Sequence, residues 1–408
     1  MSARPRISSA RLWGDLMELG KIGARPGGGI HRPALSAEDA LGREWFVAAC
    51  ERAGLEVRMD SLRNVIARVP AADPGAKVLA TGSHLDTVPG GGMFDGALGV
   101  LAGLECARAI KEQGMELPYH LEVINFTDEE GAYGAGSVGS RAMLGSLVPG
   151  ELERVSPLKG RSFAEDLAKA GGDAAGSARR DAGEFAAFVE LHIEQGSRLE
   201  SEGIACGVVT AIVSIDRYEV TVTGEAGHAG TTPMHLRRDA LVMAAPLFTL
   251  VPQWAAEQNP EMVATIGTVS LEPGTPNVIP GKCRFIIELR GEKQEDLDAV
   301  RMRLDGFIKD RPEFSVRQIY KKPGVSMHRD VRAAVEKAIA MEGCSFMRLP
   351  SGAGHDAHTF GHHVPTGMIF IPCRNGVSHN PDEWADREQA ALGAQILLNT
   401  LLVLAGKA

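Results

Sequence analysis

The chain has 408 residues, a length that suggests two or three domains. Of these residues 44% are hydrophobic and 23% charged, as in ordinary globular proteins. Its formal net charge of -9 argues against a nucleic-acid partner, which would need a basic surface. No stretch reaches the roughly 18 uncharged apolar residues of a membrane span, since Glu105 and Arg108 interrupt the apolar run 97–110.

Six cysteines are scattered along the chain without a CxxC spacing. This is typical of reduced, buried thiols and not of a zinc knuckle. Residues 1–11 are basic but lack the apolar segment of a secretory signal. We therefore expect a cytoplasmic protein without a membrane partner.

The first half of the chain alternates between helical and strand patterns. Helical spacing covers 9–20, 37–53 and 97–111, and apolar runs predict strands at 55–59, 64–69, 78–82, 120–126 and 185–192. Helices and loops are expected over 156–184. This order predicts an α/β fold, with a mixed, mostly parallel sheet covered by helices on both faces.

The pattern changes after about residue 213. Strands and helices then follow in the order β-α-β-β-α-β, at 217–223, 237–257, 263–271, 283–290, 295–309 and 315–320. This order predicts a ferredoxin-like α+β domain. Helix 331–341, strand 367–371 and helix 387–404 resume the first pattern. We therefore expect a catalytic domain (1–213 and 329–408) interrupted by an inserted domain (214–328).

The stretch 82–96 joins a predicted strand end to a glycine-rich loop that carries residues of metal-ligand type. His84 and Asp95 lie where open α/β sheets bind their ligands. Asp86, two residues after His84 in an extended segment, is placed to brace the imidazole. Taken alone, the stretch fits a glycine-rich turn with a chance His and Asp equally well.

Ligand candidates also follow three other predicted strands: Glu129 with Glu130, His192, and His379. One histidine at a strand end is more often structural, but this convergence predicts a metal site. Nitrogen and carboxylate ligands without thiolate suit Zn, Mn, Co or Ni, and one aspartate can bridge two ions about 3.5–4 Å apart.

The adjacent pair Glu129 and Glu130 suggests a division of labour. Neighbouring side chains on a strand or turn point in opposite directions. One carboxylate can therefore bind metal while the other acts as general base on water. The alternative is a solvated acidic turn.

The inserted domain carries its own polar candidates. His228, among small residues at a strand end, can hold an oxyanion. Asn277 lies between two strands, and Arg290 can offer a bidentate fork to a substrate carboxylate. A salt bridge from Arg290 to Glu288 or Glu292 is the competing interpretation.

Residues 351–358 are predicted to form a flexible polar loop whose glycine amides can bind an acid group. The histidines at 355, 358, 362 and 363 resemble a metal cluster in spacing. Except for His355, we expect them in a loop and at the surface.

Seven segments together resemble one enzyme family, the zinc-dependent N-carbamoyl-L-amino-acid hydrolases and allantoate amidohydrolases, which are relatives of two-metal aminoacylases and exopeptidases. The segments are 82–96, 127–131, 190–196, 228–234, 276–281, 352–357 and 378–381. The resemblance covers nearly the whole chain but does not distinguish the members of the family.

The resemblance implies two divalent metal ions (Zn, Mn, Co or Ni) and a role for each matching residue. It implies two ligand pairs and a bridging carboxylate: His84 with His192, Glu130 with His379, and Asp95 between them. Glu129 would be the general base and proton shuttle, and Asp86 would support catalysis. A small carboxylic acid is the expected substrate.

The resemblance also implies the substrate contacts. Gln195 would contact the ureido group, and His228 would donate to the oxyanion in the other subunit of a homodimer. The substrate carboxylate would bind Asn277, Arg290 and the Gly354-His355 backbone. In this family the inserted domain both dimerises and closes as a lid over the site.

Two residues depart from the family pattern, Gly227 just before His228, and His358 after the Gly-His-Asp-Ala string. Both lie near the implied substrate pocket.

We predict hydrolysis of an N-carbamoyl-L-amino acid to the amino acid, CO2 and ammonia. The alternatives are allantoate or ureidoglycolate-type hydrolysis, and a catalytically inactive, metal-binding dimeric interaction protein.

Overall fold

The computed structural model describes residues 4–408, and the chain divides into two compact units. Unit 1 comprises the residues up to Thr210 together with Met327–Ala408, and unit 2 comprises Ala211–Ser326. Each unit has its own buried apolar core.

The elements before the change of pattern are these, in chain order: α1 (Ser9–Leu19), α2 (Ala37–Arg52), β1 (Glu56–Met59), β2 (Val65–Val69), β3 (Val78–His84), α3 (Ala97–Glu112), β4 (His120–Phe126), α4 (Val138–Met143), α5 (Phe163–Lys169), β5 (Phe185–Ile193), α6 (Arg198–Ser201) and β6 (Cys206–Ile212). Unit 2 then contains β7 (Ser214–Thr223), β8 (Gly227–His228), α7 (Ala240–Gln258), β9 (Val263–Glu272), β10 (Val278–Ile279), β11 (Lys282–Gly291), α8 (Gln294–Ile308), β12 (Phe314–Lys322) and β13 (Val325–Ser326). Unit 1 ends with α9 (Arg329–Glu342), β14 (Phe346–Ser351), α10 (Asp356–Gly361), β15 (Thr366–Ile371) and α11 (Arg387–Leu404).

The main sheet has the strand order β1-β2-β4-β3-β5-β15-β6, with β14 and β13 also paired to β6. Its central strands β4, β3, β5 and β15 run parallel, and the flanking pairs β1-β2, β2-β4 and β15-β6 are antiparallel. Strands β3, β4 and β15 are buried at every residue, as expected of central parallel strands. The predicted mixed, mostly parallel α/β fold is confirmed.

Unit 2 is a four-stranded antiparallel sheet in the order β12-β7-β11-β9, with two helices packed on it. Strand β11 alternates buried and partly exposed residues, because one face of the sheet is covered by α7 and α8. The element order is the ferredoxin-like one. By length and composition α7 is apolar enough to cross a membrane, but Ala244, Leu247 and Val251 pack in the core of this unit.

Five strands (β6, β8, β10, β13 and β14) and three helices (α4, α6 and α10) were not predicted. Strands β6 and β14 carry no clear alternation, and their pairing partners are remote in sequence. The polar segment 351–358, predicted as a loop, contains the first turn of α10. The expectation that His358 lies at the surface is wrong, because α10 places this side chain in the interior, 9% exposed.

Close contact between β3 and β4 yields a prediction about stability. A Cβ at Gly82 would lie 2.1 Å from the backbone oxygen of Ile124, its partner across the parallel pair. Gly82→Ala should therefore cost about 1–3 kcal/mol through overpacking. The control is Gly14→Ala in α1, where no atom lies within 4 Å of the added methyl group, and which should gain about 0.5–1 kcal/mol. Urea unfolding measures both, and equal stability of the two variants would contradict the prediction.

Candidate metal centre

Parallel strands carry the ligand candidates to one edge of the main sheet. His84 is the last residue of β3, and His192 lies near the end of β5. Glu129 and Glu130 follow β4, and His379 follows β15 after a 3-10 turn. Because the carboxyl ends of parallel strands meet at the same edge, residues far apart in sequence converge here.

Asp95 is the point at which the ligand candidates meet. Its Oδ1 lies 3.1 Å from Nε2 of His192 and 3.6 Å from Nε2 of His84. Its Oδ2 lies 3.3 Å from Nε2 of His379, which is itself 3.5 Å from Oε2 of Glu130. Each oxygen of one carboxylate therefore faces a separate group of potential metal ligands.

The orientation of two imidazole rings fits cation binding. Nδ1 of His84 lies 2.9 Å from the backbone oxygen of Asp86, and Nδ1 of His192 lies 2.9 Å from that of Ile193. A carbonyl can only accept, so Nδ1 carries a hydrogen in both rings, and Nε2 is the nitrogen left to bind a proton or a metal ion. Both Nε2 atoms then face the Asp95 carboxylate, an arrangement that needs a proton or a metal ion between nitrogen and oxygen.

The electrostatics of Asp95 and His84 lead to the same requirement. Burial alone would lower the pKa of His84, but the carboxylates of Glu129, Asp86 and their neighbours raise this pKa well above its usual value. Burial would raise the pKa of Asp95, yet the hydrogen bonds from His192 and His379 hold it well below its usual value. The site therefore favours a carboxylate surrounded by positive charge.

The two adjacent glutamates reach different parts of the site. Oε2 of Glu130 lies beside His379, whereas Oε2 of Glu129 lies 3.7 Å from Nε2 of His84. The other oxygen of Glu129 accepts a hydrogen bond from the Ser137 hydroxyl at 3.2 Å. Glu129 is thus oriented toward the centre from the side of His84.

Asp86 braces a different partner from the one expected. Its carboxylate is 4.0 Å from Nδ1 of His84, whose hydrogen goes to the Asp86 backbone oxygen instead. The carboxylate oxygens accept the backbone N–H groups of Glu129 at 3.4 Å and Glu130 at 3.2 Å. Burial raises the pKa of Asp86 to about 6. One residue therefore links the loop after β3 to the turn after β4.

Buried carboxyl groups that the sequence analysis did not single out surround the centre: Asp128, Glu190, Asp356 and Glu383. Burial raises the pKa of each of them, and nearby carboxylates raise those of Asp128, Asp356 and Glu383 further. Such a concentration of buried acid is stabilised by bound cations. Asp128, Glu190 and Asp356 lie in segments that carry the family resemblance, whereas Glu383 lies just outside them.

Several predicted substrate contacts lie in unit 1. Nε2 of Gln195 donates to Oδ2 of Asp95 at 2.8 Å, so this amide is directed at the central carboxylate. His355 is buried, with Nε2 2.8 Å from the Ser351 hydroxyl and its ring 4.5 Å from that of His192. Gly354 lies in the partly exposed turn before it.

The remaining predicted contacts belong to unit 2. His228 is exposed on β8, and its Nδ1 accepts the Gly230 N–H at 3.0 Å. The Asn277 backbone oxygen accepts the Ala229 N–H at 3.0 Å, so Asn277 lies beside His228. Nε of Arg290 donates to Glu288 at 2.8 Å, the salt bridge considered from the sequence.

Glycine at position 96 is required by the packing of the site. Its φ is +65°, and a Cβ there would lie 2.4 Å from Cε1 of His84. The absent side chain thus makes room for the imidazole. By contrast, a Cβ at Gly227 would meet no atom closer than 3.5 Å, so this departure from the family pattern is not imposed by space.

The site has the nitrogen and carboxylate ligands of a metal-dependent hydrolase, at the carboxyl edge of a parallel sheet and with a further carboxylate beside them. A family model described as "Peptidase family M20/M25/M40" matches residues 80–403. The chain belongs to this family.

The chain is similar to several proteins over nearly the whole length of both partners in each comparison. The N-carbamoyl-L-amino acid amidohydrolase of Geobacillus stearothermophilus is 40% identical over 98% of this chain and 99% of its own. The allantoate amidohydrolase of Escherichia coli is 34% identical over 95% of this chain and 96% of its own. A crystal structure of a putative amidohydrolase/peptidase from Burkholderia cenocepacia is 38% identical, has a TM-score of 0.89, and covers 99% of this chain and 100% of its own.

The Asp86 geometry yields a prediction. In Asp86→Asn, the amide nitrogen would face a backbone N–H of Glu129 or Glu130, so donor would oppose donor. Both Asp86→Asn and Asp86→Ala should therefore lower turnover at least tenfold at saturating metal. Asp15→Asn, in the ion pair with Arg108, is the control and should leave turnover unchanged. Near-normal turnover of Asp86→Asn would show that the brace is dispensable.

Proposed function

We propose that this protein hydrolyses the ureido C–N bond of an N-carbamoyl-L-amino acid, giving the amino acid, CO2 and ammonia. The observation that carries the proposal is the Asp95 carboxylate shared between two ligand groups, with Glu129 directed at the same centre. The name of the Geobacillus relative supports the substrate class.

The donor set fits two divalent ions. His84, His192 and Oδ1 of Asp95 would hold one ion, and Glu130, His379 and Oδ2 of Asp95 would hold the other. Zn, Mn, Co or Ni suits such nitrogen and carboxylate donors. When bound, the ions supply Lewis acidity and lower the pKa of water.

Glu129 is the proposed general base. Its carboxylate is 11% exposed, is held by Ser137 and faces His84, so it can reach water at the centre. It would take a proton from the attacking water and return it to the leaving nitrogen. Asp86 would position Glu129 by holding its backbone N–H.

Arg290, Asn277 and the Gly354-His355 backbone would bind the substrate carboxylate. Gln195 would bind the ureido group. Arg290 is only partly exposed and already paired with Glu288, so it is oriented before substrate arrives. His228 would donate to the oxyanion. Residues 214–328 would form the lid that closes over the site.

The surface of unit 2 supports a homodimer formed by this domain. Strand β9 lies at the edge of its sheet and carries no charged side chain before Glu272, with Val263 and Val269 about half exposed. An uncharged, exposed edge strand is a template for pairing with another chain. Helix α7 packs next to β9, and its outer face exposes Val242, so a second copy would cover both elements about a twofold axis.

The dimer proposal has a direct test. Val269→Lys with Val242→Lys places two charges on the proposed interface and should convert a dimer into a monomer, as measured by light scattering after size exclusion. Leu158→Lys, at an even more exposed apolar position in unit 1, should leave the mass unchanged. A wild-type chain that is monomeric at micromolar concentration would refute the dimer.

The reaction is tested with a panel of N-carbamoyl-L-amino acids and allantoate, each assayed for ammonia release with added Mn, Co, Ni or Zn. Allantoate is the second candidate substrate, because the Escherichia coli relative is named for it. Preference for carbamoyl amino acids supports the proposal, and preference for allantoate replaces it. Ligand binding without ammonia release with any metal would indicate an inactive binding protein.

Glu129→Gln separates chemistry from metal binding. The amide keeps the size of the side chain but cannot accept a proton, so turnover should fall at least a hundredfold while metal content stays full. Metal analysis of the purified variant and the ammonia assay measure the two effects. Turnover close to that of the wild type would rule out Glu129 as the base.

A further inference from the structure

Glu383 is a buried carboxylate, 3% exposed, that lies between the two segments forming the metal centre. Its Oε1 accepts the backbone N–H groups of Phe94 and Asp95, both at 3.0 Å. Its Oε2 lies 2.8 Å from the hydroxyl of Ser378, the residue before His379. One side chain therefore contacts both the loop after β3 and the loop after β15.

These contacts and those of Ser378 and Gln195 hold Asp95 at its backbone and at one carboxylate oxygen. Glu383 holds the backbone N–H of Asp95, while Ser378 Oγ lies 3.0 Å and Gln195 Nε2 2.8 Å from Oδ2. The single hydrogen of Ser378 can be donated to Asp95 or to Glu383, so the hydroxyl couples the two carboxylates. The direction in which Asp95 presents its two oxygens depends on this arrangement.

The surroundings are built to admit Glu383. A Cβ at Gly92 would lie 2.0 Å from Oε1 and 2.1 Å from Cδ of Glu383, although the φ of Gly92 is not in the left-handed region. Gly92 is therefore required for space and not for its backbone conformation. The loop that carries Asp95 therefore has a glycine at the position where the Glu383 carboxylate packs against its backbone.

An aromatic cluster holds the same two segments together. The ring of Phe94 lies 5.4 Å from that of Trp384 and 5.8 Å from that of Trp13. Phe94 precedes Asp95, and Trp384 follows Glu383. Aromatic pairs of this kind contribute about 0.5–1.5 kcal/mol beyond their buried area. The packing of Phe94 thus helps to place the backbone N–H groups that donate to Glu383.

We propose that Glu383 is a positioning residue of the metal centre. It sets the direction of the Asp95 carboxylate and, through Ser378, ties the loop of His379 to it. The inference rests on the proposed two-ion function, in which both oxygens of Asp95 must point at different ligand groups. Residues that orient metal ligands typically change metal affinity about 10- to 100-fold when removed.

Two substitutions at Glu383 distinguish positioning from charge. Glu383→Ala removes every contact and should weaken Zn²⁺ affinity about 10- to 100-fold, measured on metal-free protein by competition with a chromophoric chelator. Glu383→Gln keeps an oxygen for the two N–H groups and offers an amide N–H to the Ser378 oxygen. It should stay within about threefold of the wild type.

The matched control is Glu105→Ala. Glu105 is also a fully buried carboxylate of unit 1, and it accepts the Ser8 N–H at 2.7 Å and pairs with Arg11. Its loss should lower the melting temperature and leave Zn²⁺ affinity unchanged. Ser378→Ala removes only the hydroxyl link and should weaken Zn²⁺ affinity about threefold or more, which tests the coupling even if Glu383→Ala does not fold.

Unchanged affinity in folded Glu383→Ala, or in Ser378→Ala, would overturn the inference. Equal losses in Glu383→Gln and Glu383→Ala would also overturn it, because the charge and not the positioning would then matter. A wild-type protein that binds none of Zn²⁺, Mn²⁺, Co²⁺ and Ni²⁺ would refute the proposed function itself, whereas a metal-binding wild type with unaffected variants refutes only the role of Glu383.

Discussion

The structure depends on a carboxylate whose two oxygens face two groups of imidazole and carboxylate ligands. The Nε2 atoms of His84 and His192 face Asp95 because their Nδ1 hydrogens are used by backbone carbonyls. Such an arrangement is repulsive until a proton or a metal ion is placed in it. The hydrogen bonding of the protein chain therefore orients these side chains for binding a cation.

A second layer of acidic side chains gives this centre its geometry. Asp86 accepts backbone N–H groups of the turn after β4, and Glu383 accepts those of the loop after β3. Both carboxylates bind the backbone and not the ligand side chains themselves. Buried acids are costly without compensating charge, so the stability of this layer and the binding of cations support each other.

Much of the architecture could be predicted because it follows from local patterns. The apolar run of β4 and the amphipathic pattern of α11 were predicted with the observed bounds, 120–126 and 387–404. Strand ends that carry His or acidic residues indicated which side chains converge, since parallel strands end at one edge. Strands β6 and β14 were not predicted, because neither shows a clear alternation and their pairing is decided by strands that are remote in sequence.

The sequence by itself determined the fold class and the residue types of the metal centre, because hydrophobic periodicity and ligand chemistry are local properties of the chain. Only the tertiary structure decided what each side chain contacts. It directed the Asp86 carboxylate to a backbone turn, buried His358 and brought Glu383 to Asp95 across 288 positions of sequence. These contacts depend on how distant segments pack, and spacing along the chain carries no record of that packing.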